Sequence, residues 1–150
     1  MNIYLGADHR GFYLKEKVFS YLVKHNYEVI DAGNKELDSV DDFPDFAQMA
    51  ATQIIGDTDS DPRAILICGD GQGMAITANR FRGVRAVVIG SAHEARKSRH
   101  DLDSNILCLS SDILESDESG WQGIIETWLN TEFSGAIRFK RRNAQIDEIA

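Results

Sequence analysis

The feature of this sequence that most constrains its fold is a regular alternation of short β-rich runs with longer segments of helical period. Apolar side chains recur at i, i+4, i+7 and i+8 from Leu14, and similarly from Phe46, as in a helix with one buried face. Strands that alternate with such helices form right-handed βαβ units. The pattern therefore predicts an α/β fold, a three-layer Rossmann-like domain whose five-stranded parallel sheet carries helices on both faces.

The same pattern sets the predicted boundaries. With 150 residues, 43% of them hydrophobic, the chain can bury one core, so we predict a single domain over residues 1–150. Residues 35–42 are polar and acidic, which predicts a surface loop near one sheet edge. The predicted strands are 2–6, 27–31, 64–68, 85–89 and 105–109, and the predicted helices lie around 14–22, 46–54, 74–81, 92–99, 121–129 and 139–149.

Charge and composition argue against several classes of protein. A formal net charge of −8 would repel nucleic-acid phosphates, so no nucleic-acid partner is expected. The sequence contains neither a long apolar run nor a signal-peptide pattern, so we expect no membrane partner and no export. Cys68 and Cys108 lie in apolar strand-like segments and not in a disulfide framework. These features predict a cytoplasmic protein.

A glycine-rich loop follows the third predicted strand. It reads Cys68, Gly69, Asp70, Gly71, Gln72, Gly73 and Met74. Glycine at every second position lets backbone N–H groups turn toward an oxyanion, although a tight strand-to-helix turn requires glycine for steric reasons alone. No acidic residue ends a second strand about 20 positions later, which argues against a dinucleotide site. The loop therefore indicates either an anion cradle or only a tight turn.

Cys68 closes an apolar strand and then faces this loop. Taken alone, it is typical of a buried structural thiol. The N–H groups of the following helix would stabilise its thiolate and lower its pKa toward the range of a general base, whereas the Asp70 carboxylate would raise that pKa. Cys108 has no comparable neighbours and is expected in the core.

Several other polar residues allow both a structural and a functional interpretation. Asp8 follows strand one and belongs to the preferred helix N-cap types, whereas His9 beside it is harder to explain as packing. His100 and Asp101 end a polar helix that could be only a solvated face. The same holds for the basic tail, which carries Arg138, Lys140, Arg141 and Arg142.

Motifs over nearly the whole chain resemble the family of type B ribose-5-phosphate isomerases and galactose-6-phosphate isomerases. The motifs are Gly-Ala-Asp-His-x-Gly-Phe from residue 6, Tyr-Glu-Val-Ile-Asp-x-Gly from 27, Asp-Phe-Pro-Asp-Phe-Ala from 42, Ile-Leu-Ile-Cys-Gly-x-Gly-x-Gly-Met from 65, Ala-Asn-Arg from 78 and Gly-Val-Arg-Ala from 83. Together they are far more specific than one glycine loop.

This resemblance implies an aldose–ketose isomerase that works through a cis-enediolate, with ribose 5-phosphate as the default substrate. It implies that Cys68 takes the C2 proton and that the N–H groups of residues 69–74 hold the enediolate oxygens, with no metal and no organic cofactor. Asp8 and His9 would hold sugar hydroxyls or phosphate. Arg138 and Arg142 would bind phosphate across the interface of a homodimer or dimer of dimers, where helix 139–149 would dock on a partner subunit.

Three positions depart from the family pattern. Asp70 replaces a small hydroxyl residue and would either repel the enediolate or shuttle a proton between O1 and O2. Asp101 stands where the family has its ring-opening histidine, with His100 one step away, and Asp112 replaces an arginine that reaches phosphate. These changes imply a divergent isomerase with a different sugar phosphate, or a non-catalytic sugar-phosphate binding protein.

Two further alternatives rank below these. A receiver-type or flavodoxin-like domain would need a phosphoacceptor aspartate at the end of strand three, where Cys68 stands. Trp121 and Trp128, spaced by two helical turns, are more typical of a core or an interface than of a sugar-stacking platform.

Overall fold

The sheet is built from five short strands whose central member is buried along its whole length. A computed structural model describes residues 1–149, so residue 150 of the predicted domain lies outside the described residues. All pairings are parallel, and the strand order is β2-β1-β3-β5-β4. The strands are Asn2–Ala7 (β1), Glu28–Asp31 (β2), Arg63–Cys68 (β3), Ala86–Val88 (β4) and Ile106–Ser110 (β5).

Helices cover both faces of this sheet. They are Phe12–Lys24 (α1), Phe43–Gly56 (α2), Gln72–Ala78 (α3), Ala92–Leu102 (α4), Ser111–Leu114 (α5), Glu118–Asn130 (α6) and Ile137–Asp147 (α7). One core packs α1, α4 and α6 against the sheet face that carries Ile65 and Ile67, and the other packs α2 and α3 against the face that carries Leu66 and Cys68. The predicted three-layer α/β fold is confirmed. Trp121 and Trp128 belong to the first core.

The bounds of every predicted element differ from the observed ones by one to three residues, and one helix was not predicted. Strand β4 begins one residue later than predicted because the N–H group of Arg85 bonds the Asn105 side chain instead of a neighbouring strand. The four-residue helix α5 was not predicted, since one turn is too short to show a period. Helix α7 begins at Ile137, two residues before the predicted start, and ends at Asp147.

The strand order brings two loops together. From β1 the chain passes to β2 on one side, and β3 then pairs with β1 on the other side, with Ala7 beside Ile67. In parallel α/β sheets such a switch point leaves a crevice at the carboxyl ends of the two strands. The β1–α1 loop and the glycine-rich loop follow the carboxyl ends of these two strands.

A buried lysine holds the connection between β2 and α2. Lys15 on α1 is completely buried, and its Nζ atom donates to both carboxylate oxygens of Asp31 at 3.0 Å and to the carbonyl oxygen of Asn34 at 2.7 Å. Residues 35–42 then run over the surface at the β2 edge of the sheet, as predicted. Within residues 1–149, no helix is long and apolar enough to cross a bilayer.

Candidate active site

Cys68 ends β3 with its side chain turned toward the glycine-rich loop. The backbone N–H of Gly71 donates to the Cys68 Sγ atom at an N···S distance of 3.1 Å. The thiol lies 4.0 Å from the Oδ1 atom of Asp70, and only 4% of the Cys68 surface is exposed. The thiol is therefore buried beneath the loop, close to the Asp70 carboxylate.

The structure corrects the expected direction of the Cys68 pKa. Burial raises the pKa of the thiol above its ordinary value of 9.0, and the negative charge of Asp8 raises it further. The backbone N–H groups of Gly71, Met74 and Asp70 act in the opposite direction but do not outweigh burial. The thiolate is therefore a strong base that is sparsely populated at neutral pH.

The glycine-rich loop follows a path that needs its glycines. Gly71 has a φ of +81°, in the left-handed region, and a Cβ at this position would lie 3.3 Å from the carbonyl of Leu109. A Cβ on Gly73 would lie 2.7 Å from the Phe43 ring, which forms a wall of the loop. The N–H of Gln72 donates to the Oδ1 atom of Asp70 at 3.0 Å. Two of the predicted cradle donors, on Gly71 and Gln72, are thus already hydrogen-bonded within the loop.

Asp8 lies beside Cys68 at the neighbouring strand end. It is buried, its N–H donates to the carbonyl of Ile67 at 3.3 Å, and its Oδ1 atom accepts from the N–H groups of Arg10 and Gly11 at 3.0 and 3.1 Å. Burial raises the pKa of this carboxyl. The N-cap of α1 is Gly11, so Asp8 stabilises the turn before the helix and is not its N-cap.

His9 is paired with an aspartate that sequence reasoning did not select. The Nδ1 atom of His9 lies 2.8 Å from the Oδ1 atom of Asp41, and the backbone N–H of His9 donates to the same oxygen at 2.9 Å. The side-chain hydrogen bond between His9 and Asp41 is the main cause that raises the pKa of His9. Asp41 is one of several acidic residues in its loop, and nothing in the sequence distinguishes it from the others.

An ion pair closes one side of the glycine-rich loop. The Nη2 atom of Arg10 donates to the Oδ2 atom of Asp112 at 2.6 Å, and the Asp112 N–H donates to the carbonyl of Gly69 at 3.0 Å. A side chain at position 69 would overlap the Arg10 guanidinium. The Asp112 carboxylate is therefore paired with a cation of the β1–α1 loop.

The remaining predicted site residues, His100, Asp101, Arg138 and Arg142, form a separate cluster around the ring of Phe139, and we call these five residues the tail patch. The His100 Nδ1 atom lies 2.7 Å from the Oδ1 atom of Asp101. The Phe139 ring centre lies 6.1 Å from that of His100. The guanidinium carbons of Arg138 and Arg142 lie 4.4 and 5.8 Å from the centre of the Phe139 ring.

The tail patch and Cys68 lie near opposite ends of the parallel strands. Helix α4 begins after the carboxyl end of β4 and runs back to Leu102, just before β5 begins at Ile106. Its last turn, which carries His100, therefore lies near the amino ends of the strands, whereas Cys68 lies at the carboxyl end of β3. Within one chain the structure brings together Asp8, His9, Cys68 and residues 69–74 but not His100, Asp101, Arg138 or Arg142.

Comparisons with known proteins agree with this architecture. Ribose-5-phosphate isomerase B of Clostridium thermocellum superposes with a TM-score of 0.91 at 39% identity, covering 99% of this chain and 97% of that one. Ribose-5-phosphate isomerase B of Mycoplasma genitalium with bound ribulose-5-phosphate gives 0.90 at 34% identity, with 97% and 93% coverage. A 4-deoxy-4-sulfo-D-erythrose isomerase of Clostridium sp. (strain MSTE9) is 40% identical over 136 residues, which are 89% of this chain and 82% of that protein.

The match also extends to the family as a whole. Residues 3–146 fit the family model described as Ribose/Galactose Isomerase. This span includes all of the sheet except the first residue of β1, together with the glycine-rich loop and most of α7. The chain therefore belongs to the ribose/galactose isomerase family.

Proposed function

We propose that this protein is an aldose–ketose isomerase of a phosphorylated sugar that uses Cys68 as its base and passes through a cis-enediolate. The default reaction converts ribose 5-phosphate to ribulose 5-phosphate. The observation that carries the proposal is the position of the Cys68 thiol, which is surrounded by N–H groups at the carboxyl end of β3 and lies beside Asp8. Two buried free thiols suit a reducing compartment, and we place the protein in the cytoplasm.

The reaction needs a base and a set of donors. The thiolate of Cys68 removes the C2 proton, the C–H electron pair forms the C1–C2 double bond, and the C1 carbonyl oxygen takes up the negative charge. Loop N–H groups that are aimed at this oxygen would stabilise the charge where it develops. Return of a proton to C1 completes the ketose. Asp70, 4.0 Å from the sulfur, would carry a proton between O1 and O2.

Substrate binding would require a second copy of the chain. Asp8 and His9 would hold sugar hydroxyls or phosphate near Cys68. Arg138 and Arg142 suit a phosphate because the guanidinium fork donates two parallel hydrogen bonds. In one chain, however, they lie near the amino ends of the strands, away from Cys68. Docking of α7 on a partner would bring them to the partner's Cys68 loop, and would bring His100 and Asp101 there for ring opening. We therefore propose a homodimer or a dimer of dimers.

Subunit mixing tests this arrangement. The variants Cys68→Ala and Arg142→Ala are each expected to be inactive alone. In a mixed dimer with shared sites, one site has both wild-type residues, so random mixing should restore about a quarter of the wild-type activity. Mixing that restores no activity, with mixed dimers confirmed by native mass spectrometry, would show that each site lies within one chain.

A sugar that carries a sulfonate is a second candidate substrate. The relative that isomerises 4-deoxy-4-sulfo-D-erythrose is 40% identical to this chain. Asp70 and Asp112 add negative charge around the loop, and Asp112 partly neutralises Arg10. A sulfonate carries one negative charge and a phosphate carries nearly two, so this local charge disfavours the sulfonate less.

The deciding experiment is hydrogen exchange in D₂O. The protein is incubated with ribose 5-phosphate, a panel of pentose and hexose phosphates, and 4-deoxy-4-sulfo-D-erythrose, and C2–H exchange and ketose formation are followed by NMR. We expect turnover that is lost in Cys68→Ala and kept in Cys108→Ala, the matched change at the other buried thiol. Binding of a sugar phosphate without exchange on any sugar would instead identify a non-catalytic binding protein.

A further inference from the structure

Asp41 is a largely buried carboxylate that makes three hydrogen bonds at the edge of the proposed site. Its Oδ1 atom accepts from the backbone N–H of His9 at 2.9 Å and contacts the Nδ1 atom of His9 at 2.8 Å. Its Oδ2 atom accepts from the Nδ2 atom of Asn34 at 3.1 Å. Only 8% of the Asp41 side chain is exposed, whereas residues 35–40 and Asp42 are exposed. Asp41 thus differs from the other acidic residues of its loop.

The support for Asp41 extends back into the protein core. Asn34, which donates to Asp41, has its carbonyl held by the buried Nζ atom of Lys15. Lys15 is in turn paired with Asp31 at the end of β2. This chain of contacts fixes the aspartate before any substrate is bound, so that His9 meets a rigid acceptor.

The contact also determines which nitrogen of His9 is free. A carboxylate can only accept a hydrogen bond, so the Nδ1 atom must carry the proton that it shares with Asp41. The Nε2 atom is not used by this contact, and 34% of the His9 side chain is exposed. In histidine–carboxylate pairs, the hydrogen bond at one ring nitrogen sets the role of the other.

We propose that Asp41 is a positioning residue that holds the His9 imidazole by its Nδ1 atom, so that Nε2 is presented to an anionic oxygen of the substrate. This inference rests on the proposed function for the presence of a sugar phosphate or sulfonate near His9. It names the second member of a His9–Asp41 pair and assigns the pair to recognition of the substrate's negative charge.

The two carboxylates that act on His9, Asp41 and Asp8, favour its protonated form. Asp41 from the β2–α2 loop and Asp8 from the histidine's own loop both raise the His9 pKa, and the limited burial of the ring does not cancel them. The imidazolium therefore persists to higher pH than in an isolated histidine. In Asp41→Asn the amide has no charge, so the His9 pKa should fall and the cation should be lost near neutral pH.

The test combines direct titration with kinetics. The His9 ring is titrated by ¹⁵N NMR in the wild type, in Asp41→Asn, and in Asp42→Asn, which removes the neighbouring exposed carboxylate. We expect the His9 pKa to fall by about one unit in Asp41→Asn, as for loss of one close opposite charge, and to stay unchanged in Asp42→Asn. Asp41→Glu should restore part of the shift.

The kinetic readout is the KM of the anionic sugar as a function of pH. The KM of Asp41→Asn divided by that of the wild type should be about ten at pH 7.5 and should fall toward one below pH 5.5, where His9 is protonated in both proteins. The ratio cancels ionisation of the substrate itself, and kcat should change much less than KM. A ratio that is the same at every pH, or an unchanged His9 pKa, would overturn the inference and leave Asp41 a purely structural residue.

The experiment separates this inference from the proposed function. If the wild type turns over no sugar, the isomerase proposal fails. The His9 titration can then still be followed, together with the chemical-shift change of the ring on addition of ribose 5-phosphate. A shift that the sugar phosphate causes in the wild type and not in Asp41→Asn at pH 7.5 would support the positioning role, and equal shifts in both would refute it.

Discussion

The Cys68 Sγ atom lies 3.1 Å from the backbone nitrogen of Gly71, the glycine of the same loop that has a positive φ. The proposed base is thus held by its own loop. The same N–H group would help to stabilise the thiolate after proton loss, and it is one of three that act on this sulfur. Burial nevertheless dominates, and the thiol has a raised pKa. The thiolate of Cys68 is thus a strong base, but only a small fraction of the thiol is ionised at neutral pH.

The raised Cys68 pKa predicts the pH dependence of turnover. The thiolate is the active form, so kcat for ribose 5-phosphate should rise with pH through pH 7 and should still be rising at pH 9, the ordinary pKa of a thiol. It is measured at saturating sugar, because KM would also follow the protonation of His9. Below that pKa the rise should approach tenfold per pH unit. The measurement is a pH–rate profile in which enzyme stability is checked at each pH. A profile that is flat from pH 7 to 9 would contradict the assignment of Cys68 as the base.

Two glycines with positive φ should respond differently to alanine. Gly71 and Gly83 have φ values of +81° and +84°, but a Cβ on Gly71 would meet Leu109 and Val88 at 3.3 Å, whereas a Cβ on Gly83 would meet nothing within 4 Å. Each change should cost about 1–2 kcal/mol in free energy of unfolding because of the left-handed backbone. Only Gly71→Ala should also abolish turnover, since it displaces the loop around Cys68. Equal activity of the two variants would argue against a preorganised loop.

The buried ion pair of Lys15 should contribute strongly to stability. Lys15→Met leaves Asp31 and the carbonyl of Asn34 without their buried donor, so the free energy of unfolding should fall by about 3–5 kcal/mol. Lys24→Met, at an exposed position of the same helix, should change it by less than about 0.5 kcal/mol. Urea unfolding followed by circular dichroism measures both. A similar small change for the two lysines would show that the β2–α2 connection does not depend on Lys15.

Changes at the two members of the Arg10–Asp112 pair should affect substrate binding in opposite directions. The pair is more than half exposed, at 55% and 52%, so breaking it should cost at most about 1 kcal/mol of stability. Asp112→Asn removes a negative charge beside the loop and should lower the KM of ribose 5-phosphate several-fold, whereas Arg10→Met should raise it. Glu118→Gln, an exposed acid on α6, serves as the charge control. Shifts of KM in the same direction for both variants would exclude a role in attracting the anion.

Much of the fold could be predicted from the sequence because it depends on local patterns. Alternating β-rich runs and helical periods predicted the five strands, six of the seven helices found within residues 1–149, and the parallel sheet. The glycine-rich loop after Cys68 was also visible, because glycine spacing is a property of adjacent residues. The burial of Lys15 could have been inferred too, since it shares a helix face with Val18 and Leu22, but a charged residue at such a position is normally assumed to be exposed.

The contacts that complete the site could only be seen in the tertiary structure. His9 and Asp41 are 32 residues apart, and Arg10 and Asp112 are 102 apart, so their approach depends on strand order and on the path of two loops. The net direction of the Cys68 pKa likewise depends on how deeply the folded chain buries the thiol.

The α/β fold, the family and the position of Cys68 after a strand could all be predicted from the sequence, because each depends on residues that are close together in the chain. The tertiary structure was needed to show that His100, Asp101, Arg138 and Arg142 lie near the amino ends of the strands, whereas Cys68 lies at a carboxyl end. The physical reason is that a periodic pattern shows which face of a helix is buried, whereas the edge at which the helix ends follows from how the strands pair.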